Sequence, residues 1–332
     1  MVLRPAGTLL SRCAGFGVKW YSTNPVAPPG FCLDIDGVLK RGQQVLPAAL
    51  EAMKQLCPNG RWRYPVCFIT NGGGVPEAHK AQQLSEWLSV PVDEQQVVLS
   101  HTPMRPLAAA LGQQPVLVVG RHEVAAVAAS YGFSKVLTTR QLAAALGPSA
   151  LPFLPRSTAS AGAQPDKGSQ PVQLYFSNPD LVWATDYPRP RFGQGAFSAM
   201  LQAVHSRLAG GQGGIPLPNA KWFGKPNPEP YRIAEQLLAQ QAVRLGLAGA
   251  AALSAPARIF SSIYAVGDNP AADVRGANQA GPPWVSVLVR TGVFQGAGND
   301  AQDPAHVVVG DVLAAVEAGL HRARSSRWHS MR

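Results

Sequence analysis

The stretch Phe31-Cys32-Leu33-Asp34-Ile35-Asp36-Gly37-Val38-Leu39 decides how this chain folds. A short apolar run closes on two carboxylates and a glycine. In a strand, residues i and i+2 point to the same side. Asp34 and Asp36 are therefore expected to project together from the end of a buried strand. A buried carboxylate without a partner is costly, so a cation or another partner is expected close by. Gly37 lets the backbone leave the strand sharply. Taken alone, the D-x-D-G pattern serves equally well as a surface turn. A calcium loop of the EF-hand type is excluded, because it needs Gly at its sixth position and Glu at its twelfth. Leu39 and Val45 stand there.

The flanking sequence repeats one rhythm. Apolar residues recur at helical spacing over 45–56 and 77–88, with an apolar run at 66–69 between them. A strand at 116–119, a helix at 123–131, a strand at 136–137 and a helix at 141–146 continue it. Such alternation indicates βαβ units and a parallel sheet. Residues 147–171, mostly Pro, Ala, Ser, Gly and Gln, interrupt it as a low-complexity excursion. The rhythm resumes with a strand at 172–176 and a helix near 196–208. A long helix over 229–247 carries Tyr231, Ala234, Leu238, Ala242 and Leu245 on one face. Strands at 263–266 and 285–289 flank a helix over 271–280, and a last helix is expected at 312–320.

Three further stretches place polar groups where apolar runs end. Val66–Ile69 leads into Thr70-Asn71-Gly72-Gly73-Gly74, a hydroxyl and unencumbered backbone N–H groups ahead of a helix, which suits an anion. A Gly-rich turn is the plainer alternative. The strand at 263–266 leads into Gly267-Asp268-Asn269-Pro270-Ala271-Ala272-Asp273, where helix capping is the competing role. Trp222-Phe223-Gly224-Lys225-Pro226 isolates one lysine; no Ser or Thr follows it, so it is no P-loop. Ligands of open α/β sheets lie beyond the carboxyl ends of the strands. Asp34, Asp36 and Asp268 together suit Mg²⁺, a hard cation that takes oxygen ligands. Lys225 and Thr70 would meet a phosphate, and carboxylates, Mg²⁺ and a lysine are equipment for phosphoryl transfer.

In chain order, LDIDGVL, FITNGGG, FGKPNPEPY and VGDNPAADVRGAN resemble the four motifs of the haloacid dehalogenase (HAD) superfamily. The long interval between the second and third resembles the class, IIA, with a large α/β cap inserted there. LSHTPMRPL, SNPDLVWATDYPRPRFGQGAF and LVRTGVF are similar to the mitochondrial HAD-like hydrolase domain-containing 5 family, also called the cat eye syndrome critical region protein 5 family. The likeness covers about residues 30–320. It implies an α/β fold: a doubly wound parallel-sheet core with an inserted cap, truncated here where residues 147–171 replace a strand and helix.

The resemblance also implies roles. Asp34 would be the nucleophile, forming an aspartyl-phosphate. Asp36 would protonate the leaving oxygen and then activate water, its backbone carbonyl holding Mg²⁺. Thr70, Asn71 and Lys225 would bind the phosphoryl group. Asp268 would be the other protein ligand of Mg²⁺, and Asp273 would support Lys225 or a metal-bound water. The second acid favours phosphate esters over dehalogenation. The implied protein is a Mg²⁺-dependent phosphatase for a small phosphorylated substrate, linked to mitochondrial glycerophospholipid metabolism. The competing reading is a HAD-fold binding protein with little turnover, motivated by the shortened cap. A homodimer through the cap also follows from the family.

The implied organisation is a mitochondrial transit segment at 1–25, core at 26–100 and 215–320, cap at 101–214, and a basic tail at 321–332. The charge fits this division. The chain of 332 residues has a formal net charge of +10. Arg4, Arg12 and Lys19 in the first thirty residues, and Arg322, Arg324, Arg327 and Arg332 at the end, have no acid among them. The rest is nearly balanced, which argues against a nucleic-acid partner. An acid-poor, basic leader is the organelle-import pattern, and no continuous apolar region marks a secretory one. No apolar run of about 18 residues is present to span a membrane. Cys13, Cys32, Cys57 and Cys67 lack the spacing of a zinc site or a disulfide framework. His101, His122 and His205 show no ligand spacing; Arg189 and Arg191 read as solvated loop residues, and Trp183 and Trp222 as packing residues.

Overall fold

A computed structural model describes residues 27–147, 172–187, 189–208 and 217–330, the last seven as main chain only. The expected import segment and nearly all of the low-complexity stretch lie outside these residues.

Strand β1 (Pro29–Leu33) is buried along its whole length. The chain then folds back as a small hairpin, β2 (Lys40–Arg41) with β3 (Gln44–Val45), before α1 (Pro47–Leu56). Val45 belongs to that hairpin, and Pro47 starts the helix, two residues later than periodicity predicts. β4 (Val66–Ile69), α2 (Glu77–Leu88) and β5 (Val97–Val98) follow. Next come α3 (Ala108–Leu111), β6 (Pro115–Val118), α4 (Val124–Ser130), β7 (Lys135–Thr138) and α5 (Thr139–Leu146). Beyond the low-complexity stretch lie β8 (Leu174–Phe176), β9 (Val182–Trp183), β10 (Arg191–Phe192), α6 (Gln194–Leu208) and β11 (Ala220–Trp222). The chain closes with α7 (Pro228–Arg244), β12 (Ser262–Gly267), α8 (Arg275–Ala280), β13 (Trp284–Val289), β14 (Val307–Val309) and α9 (Val312–Ser330). Helix α9 continues ten residues beyond the expected boundary, through most of the basic stretch.

Six strands form one parallel sheet in the order β14-β13-β12-β1-β4-β5. Alternation along β1 sends Phe31 and Leu33 to one face and Cys32 to the other. On the first face, Met53, Leu56, Leu84 and Val316 from α1, α2 and α9 cover them. On the second, Tyr231, Ala234, Leu238 and Ala242 of α7 pack on Cys32, Cys67 and Ile263. These are four of the five residues expected on that helix face; Leu245 falls just beyond its end. The fold is thus doubly wound α/β.

The described residues between β5 and β12 add no strand to this sheet. They form two-stranded pairs, β6 with β7, β8 with β11 and β9 with β10. One polar seam joins α4 to the sheet side. Glu77, at the start of α2, accepts hydrogen bonds from Thr102 Oγ1 at 2.8 Å and Tyr131 OH at 2.6 Å, and Arg105 stands 3.2 Å away. Burial pushes the Glu77 carboxyl up, but these donors win and hold it below the usual range.

Candidate active site

The carboxyl ends of the three central strands meet at one place. Asp34 follows β1, Thr70 follows β4 and Asp268 follows β12. Asp34 continues the alternation of Cys32 and so lies toward the α7 side, where Lys225 precedes that helix. Lys225 Nζ donates to Asp34 Oδ1 at 2.6 Å, Asp273 Oδ1 at 2.5 Å and the Ile69 carbonyl at 3.3 Å. Lys225 is 3% exposed. Burial works against its charge, yet Asp273 and Asp34 hold its pKa well above the ordinary lysine value.

The side chains of Asp34, Asp268 and Asp273 are all buried, with carboxylate oxygens within 4.8 Å of one another. Two of the three, Asp34 and Asp273, share the Lys225 ammonium group, and Asp268 stands beside them. Burial pushes Asp34 well up; Lys225 opposes this, while Asp273 and Asp268 add to it. Asp268 is raised to about 7 by burial and Asp273, although the Val293 N–H donates to it at 2.5 Å. The Asp268 carboxylate lies against Gly37 and Gly292, where a Cβ on either would collide with it. Gly37 also has φ +91°, so the glycine is needed twice over.

Asp36 does not join this cluster. Strand β1 ends at Leu33 and the chain is already turning, so the alternation that fixes Asp34 no longer governs Asp36. Its Oδ1 faces Lys40 Nζ at 3.9 Å. Burial raises its carboxyl, and Lys40 and Lys80 oppose the rise. Asp273, expected only in support, is the third clustered carboxylate in its place. Its Oδ2 also accepts from the Asn269 N–H at 3.0 Å.

Thr70 Oγ1 accepts the Gly72 N–H at 2.9 Å and keeps its own proton to donate. Asn71 is committed differently from expectation. Its side-chain amide clamps the main chain of Lys225 on both sides, Oδ1 accepting the residue's N–H at 2.8 Å and Nδ2 donating to its carbonyl at 2.9 Å. The Asn178 amide in turn donates to the Asn71 carbonyl at 2.8 Å. β8 and β11 run parallel, Phe176 opposite Trp222, so their exits bring Asn178 and Lys225 to the same loop. Trp222 stacks on Phe176, a packing role as expected.

Comparison with known proteins gives the family and agrees with the fold. The family described as haloacid dehalogenase-like hydrolase matches residues 31–134, and a HAD-hydrolase-like family matches residues 222–315. A mitochondrial hydrolase of Saccharomyces cerevisiae is 30% identical, over 88% of this chain and 95% of its own. The chain belongs to the haloacid dehalogenase-like hydrolases. It is also 34% identical to a cardiolipin synthase (CMP-forming)/mitochondrial hydrolase fusion protein of Schizosaccharomyces pombe, over 88% of this chain but only 53% of that longer protein. Two solved structures share the fold. A hypothetical protein of Pyrococcus horikoshii has TM-score 0.55 at 16% identity, covering 88% of this chain and 99% of its own. A magnesium complex of glycerol phosphate phosphatase from Mycobacterium tuberculosis has TM-score 0.52 at 21% identity, covering 87% and 76%.

One acid of this hydrolase site escaped sequence reasoning. Asp180, two residues after Asn178, is raised to about 6 by burial, with Lys225 and Asn71 opposing. Its signal was present, an acid inside the SNPD stretch, but only tertiary packing brings it to Lys225. Arg189 and Arg191 are exposed, and Arg191 stands over the Tyr187 ring at 4.9 Å.

Proposed function

We propose that this hydrolase is a Mg²⁺-dependent phosphatase acting on a small phosphate ester through an aspartyl-phosphate, and that it works in mitochondria. One observation carries the reading: a single buried lysine bridges the carboxylates of Asp34 and Asp273 while Asp268 stands beside them.

The donor set fits a divalent cation. Three clustered buried carboxylates with one ammonium group beside them leave excess negative charge, and Asp268 is pushed up to about 7, by burial first and by the neighbouring Asp273 second. All the donors are hard oxygens, which suits Mg²⁺. Asp34, Asp268 and the Asp36 carbonyl would hold it, with Asp273 in support. When bound, Mg²⁺ supplies positive charge that offsets the phosphoryl oxygens.

The chain's own groups then divide the work. Asp34 attacks phosphorus, and the bond from phosphorus to the leaving oxygen breaks as Asp36 hands that oxygen a proton. Asp36 next takes a proton from water, which attacks the aspartyl-phosphate and releases phosphate and free Asp34. Lys225 offsets charge on the transferring group, and Thr70 donates its hydroxyl proton to it. The Asn71 clamp fixes the Lys225 main chain, so its ammonium is held in place before substrate arrives.

The acid-free basic leader and the names of both curated relatives support the mitochondrial assignment. The test is a screen of phosphate monoesters with Mg²⁺. Asp34→Asn is expected to lower kcat by at least about 10³-fold, and chelation to abolish turnover reversibly. Equal rates for wild type and Asp34→Asn would sink the reading.

A further inference from the structure

Two ammonium groups converge on one indole beside the site. Lys40 Nζ lies 4.2 Å from the Trp87 ring centroid and Lys80 Nζ 5.1 Å from it. Lys40 comes from β2, whereas Lys80 and Trp87 share one face of α2, seven residues apart. An aromatic face orients a cation but carries no net charge to neutralise it. The carboxylate that faces both lysines is Asp36. Two cations against one anion leave an uncompensated positive charge. Burial lowers the Lys80 pKa, Asp36 opposes the shift, and Lys40 adds a smaller push in the same direction as burial.

The location gives that charge a use. A Cβ built on Gly72 would meet Thr70 Oγ1 at 3.2 Å and Asp36 Oδ2 at 3.8 Å, so Asp36 borders the loop that starts at Thr70. In the reaction proposed above, Asp36 hands its proton to the leaving oxygen. The leaving group therefore lies on the Asp36 side, and the two lysines face whatever it carries. Packing alone would not require both ammonium groups on one ring, since like charges repel there.

We propose that Lys40 and Lys80, poised over Trp87 beside Asp36, seat a second anionic group on the leaving alcohol, so that the enzyme selects phosphate monoesters whose alcohol bears another phosphate or a phosphodiester. This rests on the phosphatase reading. It adds a specificity that the carboxylate cluster does not provide.

The test compares a matched pair with Mg²⁺, 3-hydroxypropyl phosphate and propane-1,3-diol bisphosphate. The wild type is expected to favour the bisphosphate in kcat/KM by about tenfold or more, through KM, the size of one hydrogen bond to a charged group. Lys40→Gln or Lys80→Gln should bring the ratio toward one, and Lys→Arg at the same positions should restore it. Lysines that only tune Asp36 would slow both substrates together and leave the ratio intact, which overturns the proposal. Phosphatidylcholine vesicles carrying a lipid-anchored glycerol phosphate separate the sources. Preference for the vesicle assigns the seat to a lipid phosphodiester, and preference for the soluble bisphosphate to a free metabolite. A binding arm stands apart from turnover: calorimetry of propane-1,3-diol bisphosphate with Asp34→Asn protein. Binding weakened about tenfold by Lys40→Gln or Lys80→Gln supports the seat even if no ester is hydrolysed, an outcome that would fault the phosphatase reading alone. Unchanged binding overturns the seat.

Discussion

In the six-stranded sheet Phe31, Leu33, Phe68 and Ile263 are fully buried, whereas between β6 and α6 Leu117, Phe192, Met200 and Leu208 stand 48%, 84%, 61% and 74% exposed. The contrast extends to the elements themselves. The sheet side joins six strands into one sheet, the β2–β3 hairpin apart, but the intervening region pairs its described strands only in twos. Helix α6 displays Phe197, Met200, Val204 and Leu208 at helical spacing along an exposed stripe. What the difference teaches is where the chemistry draws its power. Exclusion of water shifts titration, and the shifted groups Asp34, Lys225 and Asp268 stand at the sheet ends, where exclusion is nearly complete. The intervening region reaches them through a few polar ties, such as Arg41 Nε to the Thr185 carbonyl at 3.0 Å and Asn178 to Asn71.

Three measurements would break or sharpen this contrast. The largest effect is expected of Lys225→Met, which leaves Asp34 and Asp273 buried without their shared cation. Urea denaturation should show a loss of about 3–5 kcal/mol. A loss under about 1 kcal/mol would mean that the sheet-end site is wetter than its burial implies.

A middle effect concerns Asp268. Its folded pKa of about 7 lies above the ordinary 3.8, so the fold favours the protonated form. That contribution to stability is complete below about pH 4 and is lost as pH rises toward about 7. Mg²⁺ pairs with the ionised form and should restore the loss. Thermal melts should show a Tm gain of a few degrees from Mg²⁺ at pH 7.5 and almost none at pH 5. Equal gains at both pH values would detach Asp268 from the cation.

The smallest effect belongs to the exposed side. Phe192→Ser should change stability by no more than about 0.5 kcal/mol, as surface substitutions do. A cost near the ~3–5 kcal/mol of truncating a buried phenylalanine in the same urea titration would show that something covers Phe192 in solution.

The sheet side was also the legible side. β1, β4 and β12 each lead from an apolar run into a polar motif, so Asp34, Thr70 and Asp268 could be expected to converge, and the isolated lysine of the Lys225 motif to join them. β5 and β14, two and three residues long, are too short to show a period. Asp36 misled because the i, i+2 rule holds only while the strand lasts, and β1 stops at Leu33. The Lys40, Lys80 and Trp87 grouping and the Glu77–Tyr131 seam join residues from separate elements, and no local spacing announces them. Asn71 was expected to hold phosphate directly. Its side-chain amide also spans the N–H and the carbonyl of Lys225, a pairing visible only once the two loops stand side by side.

That amide clamp joins residues 154 positions apart in the chain. It therefore closes a very large loop at the site itself, and the stretch between β5 and Lys225, which adds no described strand to the six-stranded sheet, lies inside it. The entropic cost of closing a flexible loop rises only with the logarithm of its length, about 0.6 kcal/mol for each doubling. Lineages could lengthen or trim that stretch with almost no thermodynamic penalty at the closure. The register between Thr70 and Lys225 would be inherited intact, whatever substrate the altered stretch came to greet.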